Sequence, residues 1–209
     1  MLNYIQNIGA AIGRGIMTLY VRAAYRPKLI YIDSSQKRIK YDRPVIFVGN
    51  HTSHMDGVMT SVIFAPAKGC ILVAKDWYEK PKFNWFLKRN RAIPMDRFGL
   101  DTGWLRLSTG AIRNNQSVII FPEGRTGREA EPREFKPGFV MLAVMTGAMI
   151  VPYAVCREYK AFGKRQKVVI GTPTALTEEN KGLKPEYLEK ESERFRQIII
   201  ELMKKGAEK

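Results

Sequence analysis

Residues 44–56 read PVIFVGNHTSHMD, an apolar run that ends in a polar, titratable segment. The apolar part has the continuous hydrophobic character of a strand that is buried on both faces of a parallel sheet. His51 and His54, in the polar part, are the only histidines of the chain. Open α/β sheets place their binding sites just beyond the carboxyl ends of such strands. The stretch therefore predicts a central strand followed by a site built around an imidazole.

Strand-like and helix-like segments alternate on both sides of this stretch. The strand-like runs are short and rich in β-branched residues, and they cover 29–32, 45–48, 71–74, 118–121, 149–155 and 167–171. The helix-like segments repeat apolar residues at three- and four-residue spacing, and they cover 55–64, 102–113, 137–146 and 185–205. This alternation predicts a single α/β domain with a mainly parallel central sheet flanked by helices.

An amphipathic helix is predicted over residues 1–25. Its apolar positions form one stripe, made of Leu2, Ile5, Ile8, Ile12, Ile16, Leu19 and Ala23. Its basic flank consists of Arg14, Arg22, Arg26 and Lys28. Such a helix lies in the headgroup layer of a membrane or covers the protein's own core, and its different faces can do both. We therefore divide the chain into a membrane-associating helix at 1–27 and an enzymatic domain at 28–209.

The composition points to an anionic partner. Lys and Arg number 35 against 20 for Asp and Glu, which gives a formal charge of +15. Nucleic acid, an acidic membrane surface or a phosphorylated substrate would suit that charge, but the chain shows no recognisable nucleic-acid-binding module. Cys70 and Cys156 lie in apolar runs, which predicts buried, free thiols in a reducing compartment. With no evident secretory signal or membrane-spanning segment, we expect a bacterial protein attached peripherally to the cytoplasmic face of the membrane.

His51 and Asp56 are the candidate catalytic pair. On a regular helix their five-residue spacing would separate them by about 140°, so they meet only if His51 lies in a loop and Asp56 in the first turn that follows. A carboxylate that accepts the Nδ1 proton leaves Nε2 free to take a proton from a bound hydroxyl. One alternative is a metal site, for which the chain offers too few further ligands. The other is a turn that Asp56 caps without any catalysis.

Two further segments offer cations to an anionic group. Residues 121–127 read FPEGRTG, in which two glycines permit a tight backbone and Arg125 presents forked donors suited to phosphate. Glu123 is suitably spaced to hold that arginine. Residues 88–97 read KRNRAIPMDR, with four cations around a short apolar run. Solvated basic turns that bind nothing are the alternative for both segments.

Taken together and in order, four motifs resemble those of the glycerolipid acyltransferases. They are NHTSHMD at 50–56, IPMDR at 93–97, FPEG at 121–124 and Val-Pro at 151–152. The branch they resemble is the 1-acyl-sn-glycerol-3-phosphate acyltransferases, also called lysophosphatidic acid acyltransferases. The sequence FKPG at 135–138 is also similar to what this family shows. Four motifs in the right order are far more specific than any one of them.

The resemblance implies direct acyl transfer from acyl-CoA or acyl-carrier protein to the hydroxyl of the acceptor, with no metal and no cofactor. His51 is then the base and Asp56 its orienting partner. The residues expected on the acceptor side, from the resemblance and from the two basic segments, are Lys88, Arg91, Arg97, Glu123, Gly124, Arg125 and Thr126. Val151 and Pro152 are associated with the acyl donor and with packing of the site.

Two departures from the family pattern fall on the acceptor side. The third motif usually reads Glu-Gly-Thr-Arg-Ser, whereas Arg125 stands one position early and Gly127 replaces the serine. Arg91 stands where the second motif usually begins with glycine. We predict an enzyme that makes phosphatidic acid from lysophosphatidic acid, with another lysophospholipid or hydroxylated lipid as the alternative acceptor. A non-catalytic lipid-binding protein on the same fold is a further alternative, against which the His51–Asp56 pair argues.

Overall fold

A computed structural model describes residues 2–33, 41–96, 102–127, 129–156, 159–177 and 183–208, with side chains from residue 7 onward. Its strands are β1 (Lys28–Tyr31), β2 (Ile46–Gly49), β3 (Cys70–Ala74), β4 (Ile93–Met95), β5 (Val118–Ile120), β6 (Ile150–Val155) and β7 (Lys167–Ile170). Its helices are α1 (Leu2–Ala24), α2 (Met55–Ile63), α3 (Lys75–Tyr78), α4 (Pro81–Arg89), α5 (Gly103–Arg113), α6 (Gly138–Thr146) and α7 (Pro185–Glu208).

The strands form one sheet in the order β1-β7-β6-β2-β5-β3-β4. Neighbouring strands are parallel except for β6 and β7. The prediction of one α/β domain with a mainly parallel sheet is therefore confirmed. The run in 44–56 forms the central strand β2, which lies between β5 and β6. Because these three strands are parallel, their carboxyl ends lie side by side, at what we call the carboxyl edge of the sheet.

Strand β2 is buried over its whole length, because helices cover both faces of the sheet. Ile46 and Val48 point into a core formed with α5, α6 and α7. Phe47 points into the opposite core, which α1 and α2 close. Gly49 is required where β2 ends, since a β-carbon there would lie 2.4 Å from the ring of Tyr153. The strand therefore leads to the carboxyl edge from a rigid, close-packed sheet.

Several details differ from the sequence pattern. The pattern predicts none of β4, α3 and α4, because β4 is a three-residue edge strand, α3 has only four residues, and α4 is short and intersperses its apolar residues with polar ones. Edge strands tolerate a proline such as Pro94 because they need not donate on their outer side. Gly206 does not end α7, which continues to Glu208. This glycine instead makes room for Cys156, whose sulfur would lie 2.3 Å from an added β-carbon.

Helix α1 uses two faces. One face packs on α2 and α4, and it buries Ala10, Val21 and Ala24. The predicted apolar stripe points the other way, and its exposed fractions are 44% at Ile8, 57% at Ile12, 65% at Ile16 and 70% at Leu19. The side chains of Leu2 and Ile5 lie outside the described part. Among the described helices, none has the length and apolar character needed to cross a membrane.

Candidate active site

His51 and Asp56 meet at the carboxyl edge, where β2 leads into α2. The Nδ1 atom of His51 lies 2.9 Å from Oδ2 of Asp56. In a neutral imidazole, donation from Nδ1 to this carboxylate leaves Nε2 with its lone pair. The His51 side chain is 17% exposed, whereas that of Asp56 is fully buried. The pair thus has the geometry of an imidazole base that a buried carboxylate orients.

The backbone that surrounds Asp56 holds its carboxylate in place. Besides His51, the Oδ2 atom accepts the N–H groups of Thr52 at 2.6 Å and Ser53 at 2.8 Å. These donors offset the cost of burying the charge, and the position in the first turn of α2 places it near the positive end of the helix dipole. Burial, together with the nearby Asp56 carboxylate, raises the pKa of the Tyr153 and Tyr159 hydroxyls.

Asn50 and Phe121 fix the loop and the ring of His51, and the sequence reasoning assigned neither role. The Asn50 side chain donates to the carbonyl of Val155 at 3.1 Å and accepts the N–H of the same residue at 2.8 Å. It thereby ties the end of β2 to the end of β6. The Phe121 ring stacks on the imidazole, with centroids 4.3 Å apart and planes 16° apart. An aromatic residue directly after β5 was the available signal for this contact.

The loop after β5 forms hydrogen bonds with both the backbone N–H and the backbone carbonyl of His51. Oε1 of Glu123 accepts the N–H of His51 at 2.7 Å, and Oε2 accepts the N–H of Arg133 at 3.1 Å. The N–H of Gly127 donates to the carbonyl of His51 at 2.8 Å. Burial raises the pKa of the Glu123 carboxyl, while the two backbone N–H groups oppose that rise. Glu123 therefore engages the backbone, rather than the Arg125 side chain that the sequence suggested as its partner.

Two cationic residues, Arg125 and Lys136, lie in or beside this loop. Gly124 adopts the left-handed backbone conformation with φ of 69°, and a β-carbon there would lie 3.6 Å from the ammonium nitrogen of Lys136. Arg125 is exposed and Thr126 is half-buried. Lys136 is absent from the predicted acceptor set, although the family-like FKPG segment that contains it was a signal. The turn thus places Arg125 and Lys136 close to the segment that holds His51.

Lys88 and Arg91 require a correction, because the structure does not bring them to the carboxyl edge. Strand β4 runs parallel to β3, so Arg91, which precedes β4, lies at the opposite edge of the sheet. Its charge there acts on the thiol of Cys70, the first residue of β3. Lys88 lies in the last turn of α4, just before Arg91. Arg97 falls outside the described residues, and its role stays a prediction.

Val151 and Pro152 lie inside the sheet rather than on a surface. They pair with Phe47 and Val48 of β2, and both are buried. Gly171 donates its N–H to the carbonyl of Pro152 at 2.8 Å. These positions fit a packing role beneath the site, and their association with the acyl donor stays a prediction.

Metal and thiol chemistry receive little support from the described residues. His54 is exposed, and its ring lies 6.0 Å from the ring of Trp77. Within the described ranges, no three His, Cys, Asp or Glu side chains are grouped so that they could hold a metal ion. Burial raises the pKa of Cys70 and of Cys156 to about 11. Both thiols are therefore protonated at neutral pH and are poor nucleophiles.

An imidazole paired with a buried carboxylate lies beside a cationic loop, at the carboxyl edge of a mainly parallel sheet. The family model described as Acyltransferase matches residues 31–156, which is more than half of the chain and contains all four motifs. The chain belongs to the Acyltransferase family. The resemblance to glycerolipid acyltransferases is thereby confirmed.

Similar proteins carry a more specific name. Proteins from Cocos nucifera, Bacillus subtilis and Limnanthes douglasii, each named 1-acyl-sn-glycerol-3-phosphate acyltransferase, are 27%, 24% and 30% identical to this chain. The matches cover 63%, 66% and 57% of this chain and 43%, 71% and 43% of those proteins. The chain thus spans less than half the length of the two plant relatives.

A solved structure shares the fold. The 1-acyl-sn-glycerophosphate acyltransferase PlsC from Thermotoga maritima matches with a TM-score of 0.66 at 21% sequence identity. The match covers 91% of this chain and 79% of that one. The similarity includes nearly the whole chain and so extends well beyond the four motifs.

Proposed function

We propose that this protein transfers a fatty acyl group from an acyl thioester to the free hydroxyl of 1-acyl-glycerol-3-phosphate and so forms phosphatidic acid. The observation that carries the proposal is the 2.9 Å contact between His51 Nδ1 and Asp56 Oδ2, which leaves Nε2 available as a base. The names of the similar proteins support this choice of acceptor.

The chemistry uses the dyad, two substrates and a hydrogen-bond donor that stabilises the oxyanion of the tetrahedral intermediate. Nε2 of His51 takes the hydroxyl proton while the acceptor oxygen attacks the thioester carbonyl. The tetrahedral intermediate collapses to an ester, the carbon–sulfur bond breaks, and the imidazolium returns its proton to the leaving thiolate. Asp56 stabilises the imidazolium that forms in between. The acyl-CoA or acyl-carrier protein is a substrate here, and we propose neither a metal nor a cofactor.

An acceptor panel tests the proposal. Thiol release from acyl-CoA and from acyl-carrier protein is measured with lysophosphatidate, lysophosphatidylcholine, lysophosphatidylglycerol and glycerol 3-phosphate in turn. We expect the highest kcat/KM with lysophosphatidate, because its phosphate monoester suits a cationic loop. An equal or higher value with a choline-bearing acceptor would contradict the assignment of the acceptor.

Arg125 and Lys136 are proposed to bind the phosphate of the acceptor. Arg125→Ala and Lys136→Ala should each lower kcat/KM for lysophosphatidate about tenfold to 150-fold, because a hydrogen bond to a charged group is worth ~1.5–3 kcal/mol. The KM for the acyl donor should stay unchanged. Arg113→Ala, which removes an exposed arginine in the last turn of α5, is the matched control. If the KM for the acyl donor rose while the KM for the acceptor stayed constant, Arg125 and Lys136 would belong to the donor side of the site rather than to the acceptor side.

The membrane is the proposed source of the acceptor, and we propose peripheral attachment at its cytoplasmic face. Helix α4 packs beside α1, where a β-carbon at Gly9 would lie 3.7 Å from the Trp85 ring. Asn7 of α1 also accepts a hydrogen bond from Arg89 of α4 at 3.1 Å. Exposed aromatic residues extend the apolar surface, namely Trp77 at 40%, Phe83 at 44% and Trp85 at 43%. Arg22 and Arg26 add positive charge beside this surface.

Substitutions on the stripe test membrane attachment better than deletion of α1, because deletion would uncover the core around Val21 and Ala24. Ile16→Glu combined with Leu19→Glu should lower binding to vesicles more than tenfold, since burying one such side chain contributes ~1.5–3 kcal/mol. The loss should appear with neutral and anionic vesicles alike in co-sedimentation. Leu107→Glu, at an exposed leucine on α5, should bind as the parent does. Undiminished binding by the double variant would show that α1 only covers the core.

A further inference from the structure

We propose that Glu123 is a positioning residue that holds His51 in place, rather than a ligand of the acceptor. The inference rests on the proposed function and assigns this glutamate a different role in it. The contact that carries it is the 2.7 Å hydrogen bond from the His51 N–H to Oε1 of Glu123. Gly127, four residues further along the same loop, fixes the opposite side of the His51 peptide by donating to its carbonyl at 2.8 Å.

Glu123 links the segment that holds His51 to a second segment of the chain. Its second oxygen accepts the N–H of Arg133 at 3.1 Å, in the segment that leads to α6. The residue is only 8% exposed, so its carboxylate faces the protein interior and offers little surface to a ligand. Each carboxylate oxygen already accepts a backbone N–H group, so a hydroxyl of the acceptor would have to share a buried oxygen with the backbone.

The chemistry of this bridge requires a carboxylate. Two N–H groups point at two oxygens, and an amide side chain would replace one of these oxygens with a second donor. One buried N–H group would then lose its acceptor, and either His51 or the segment around Arg133 would shift. Because burial raises the pKa of Glu123, its ionised form carries a desolvation cost that a neutral amide avoids. Glu123→Gln should therefore alter geometry more than it alters overall stability.

Steady-state kinetics distinguish positioning from binding. Glu123→Gln should lower kcat about tenfold to a hundredfold, because small displacements of a reacting group cost up to ~10²-fold. The KM for lysophosphatidate should stay within about twofold, since no contact with the acceptor is lost. Glu131→Gln, which removes an equal charge from an exposed side chain on the following segment, should match the parent. A large rise in acceptor KM with unchanged kcat would make Glu123 a ligand of the acceptor and overturn the inference.

A spectroscopic measurement tests the same role without any turnover. The chain has only two histidines, so His54→Gln leaves the His51 imidazole as the single histidine signal in the NMR spectrum. In that background, Glu123→Gln should shift and broaden the signal of the His51 Nδ1 proton, which is hydrogen-bonded to Asp56. Glu131→Gln should leave that signal unchanged. Glu123→Asp, which keeps the charge but is one methylene shorter, gives a second variant if the first folds poorly.

The two measurements separate this inference from the proposed function. A protein with no acyl transfer activity in which Glu123→Gln still perturbed the His51 signal would retain the positioning role and lose the proposed reaction. An unchanged His51 signal in both Glu123 variants, with a folded protein by thermal melting, would overturn the positioning role even if lysophosphatidate is acylated.

Discussion

His51→Ala is expected to lower kcat for acyl transfer by about 10²–10⁴-fold, because it removes the base that takes the acceptor proton. Binding of lysophosphatidate should persist, since Arg125 and Lys136 remain in place. The measurement is thiol release under saturating donor and acceptor, with acceptor affinity determined separately by equilibrium binding. Removing this imidazole also frees space next to Phe121, so thermal melting should accompany the kinetics.

His54→Ala is the matched control for this variant. His54 lies three residues further along the same segment, is exposed, and lies beside Trp77 rather than Asp56. Its loss should cost far less activity than the loss of His51. A His51 variant that turned over at the parental rate, or a His54 variant that was the more damaged of the two, would contradict the assignment of the base.

Asp56→Asn is expected to have the second-largest effect, a loss of about 10²–10³-fold in kcat. In the variant, the amide oxygen can take the place of Oδ2 and still accept from Nδ1 of His51 and from the N–H groups of Thr52 and Ser53. The ring therefore remains in place, but the imidazolium that forms during transfer loses the negative charge that stabilises it.

Activity and the His51 NMR signal should change together in the Asp56→Asn variant. The signal of the Nδ1 proton should shift, because its hydrogen bond then runs to a neutral amide oxygen instead of a carboxylate. Glu191→Gln offers a control at another buried carboxylate, which Arg194 and Thr177 hold far from the dyad. Parental turnover by Asp56→Asn would show that the carboxylate only caps α2, as the alternative interpretation of this turn states.

Much of the fold follows from local sequence, because buried strands and amphipathic helices differ in the period of their apolar residues. The run in 44–56 identified the central strand, and the five-residue spacing of His51 and Asp56 required the loop-to-helix turn that forms. The short edge strand β4 escaped prediction because three residues around Pro94 carry almost no periodicity.

The site was harder to predict wherever a role depends on backbone groups or on sheet geometry. No side-chain pattern indicates that Glu123 accepts two backbone N–H groups, and the nearby Arg125 suggested an ion pair instead. Lys88 and Arg91 are close in sequence to the second motif, yet both precede strand β4 and therefore lie toward the edge of the sheet opposite the site. At ~3.3 Å per residue, even three residues of strand span about 10 Å. Lys136 reaches the turn at Gly124 only through a tertiary contact.

Direct transfer of the acyl group from the thioester to the acceptor oxygen is the chemical step on which the roles of His51 and Asp56 depend. The most direct test is intact-mass spectrometry of the protein after incubation with the acyl donor alone and then with lysophosphatidate. We predict an unmodified protein throughout, with donor consumed and phosphatidate formed only after the acceptor is added. A protein that gained one acyl group from the donor and released it on addition of lysophosphatidate would contradict direct transfer and replace the general base with a nucleophile.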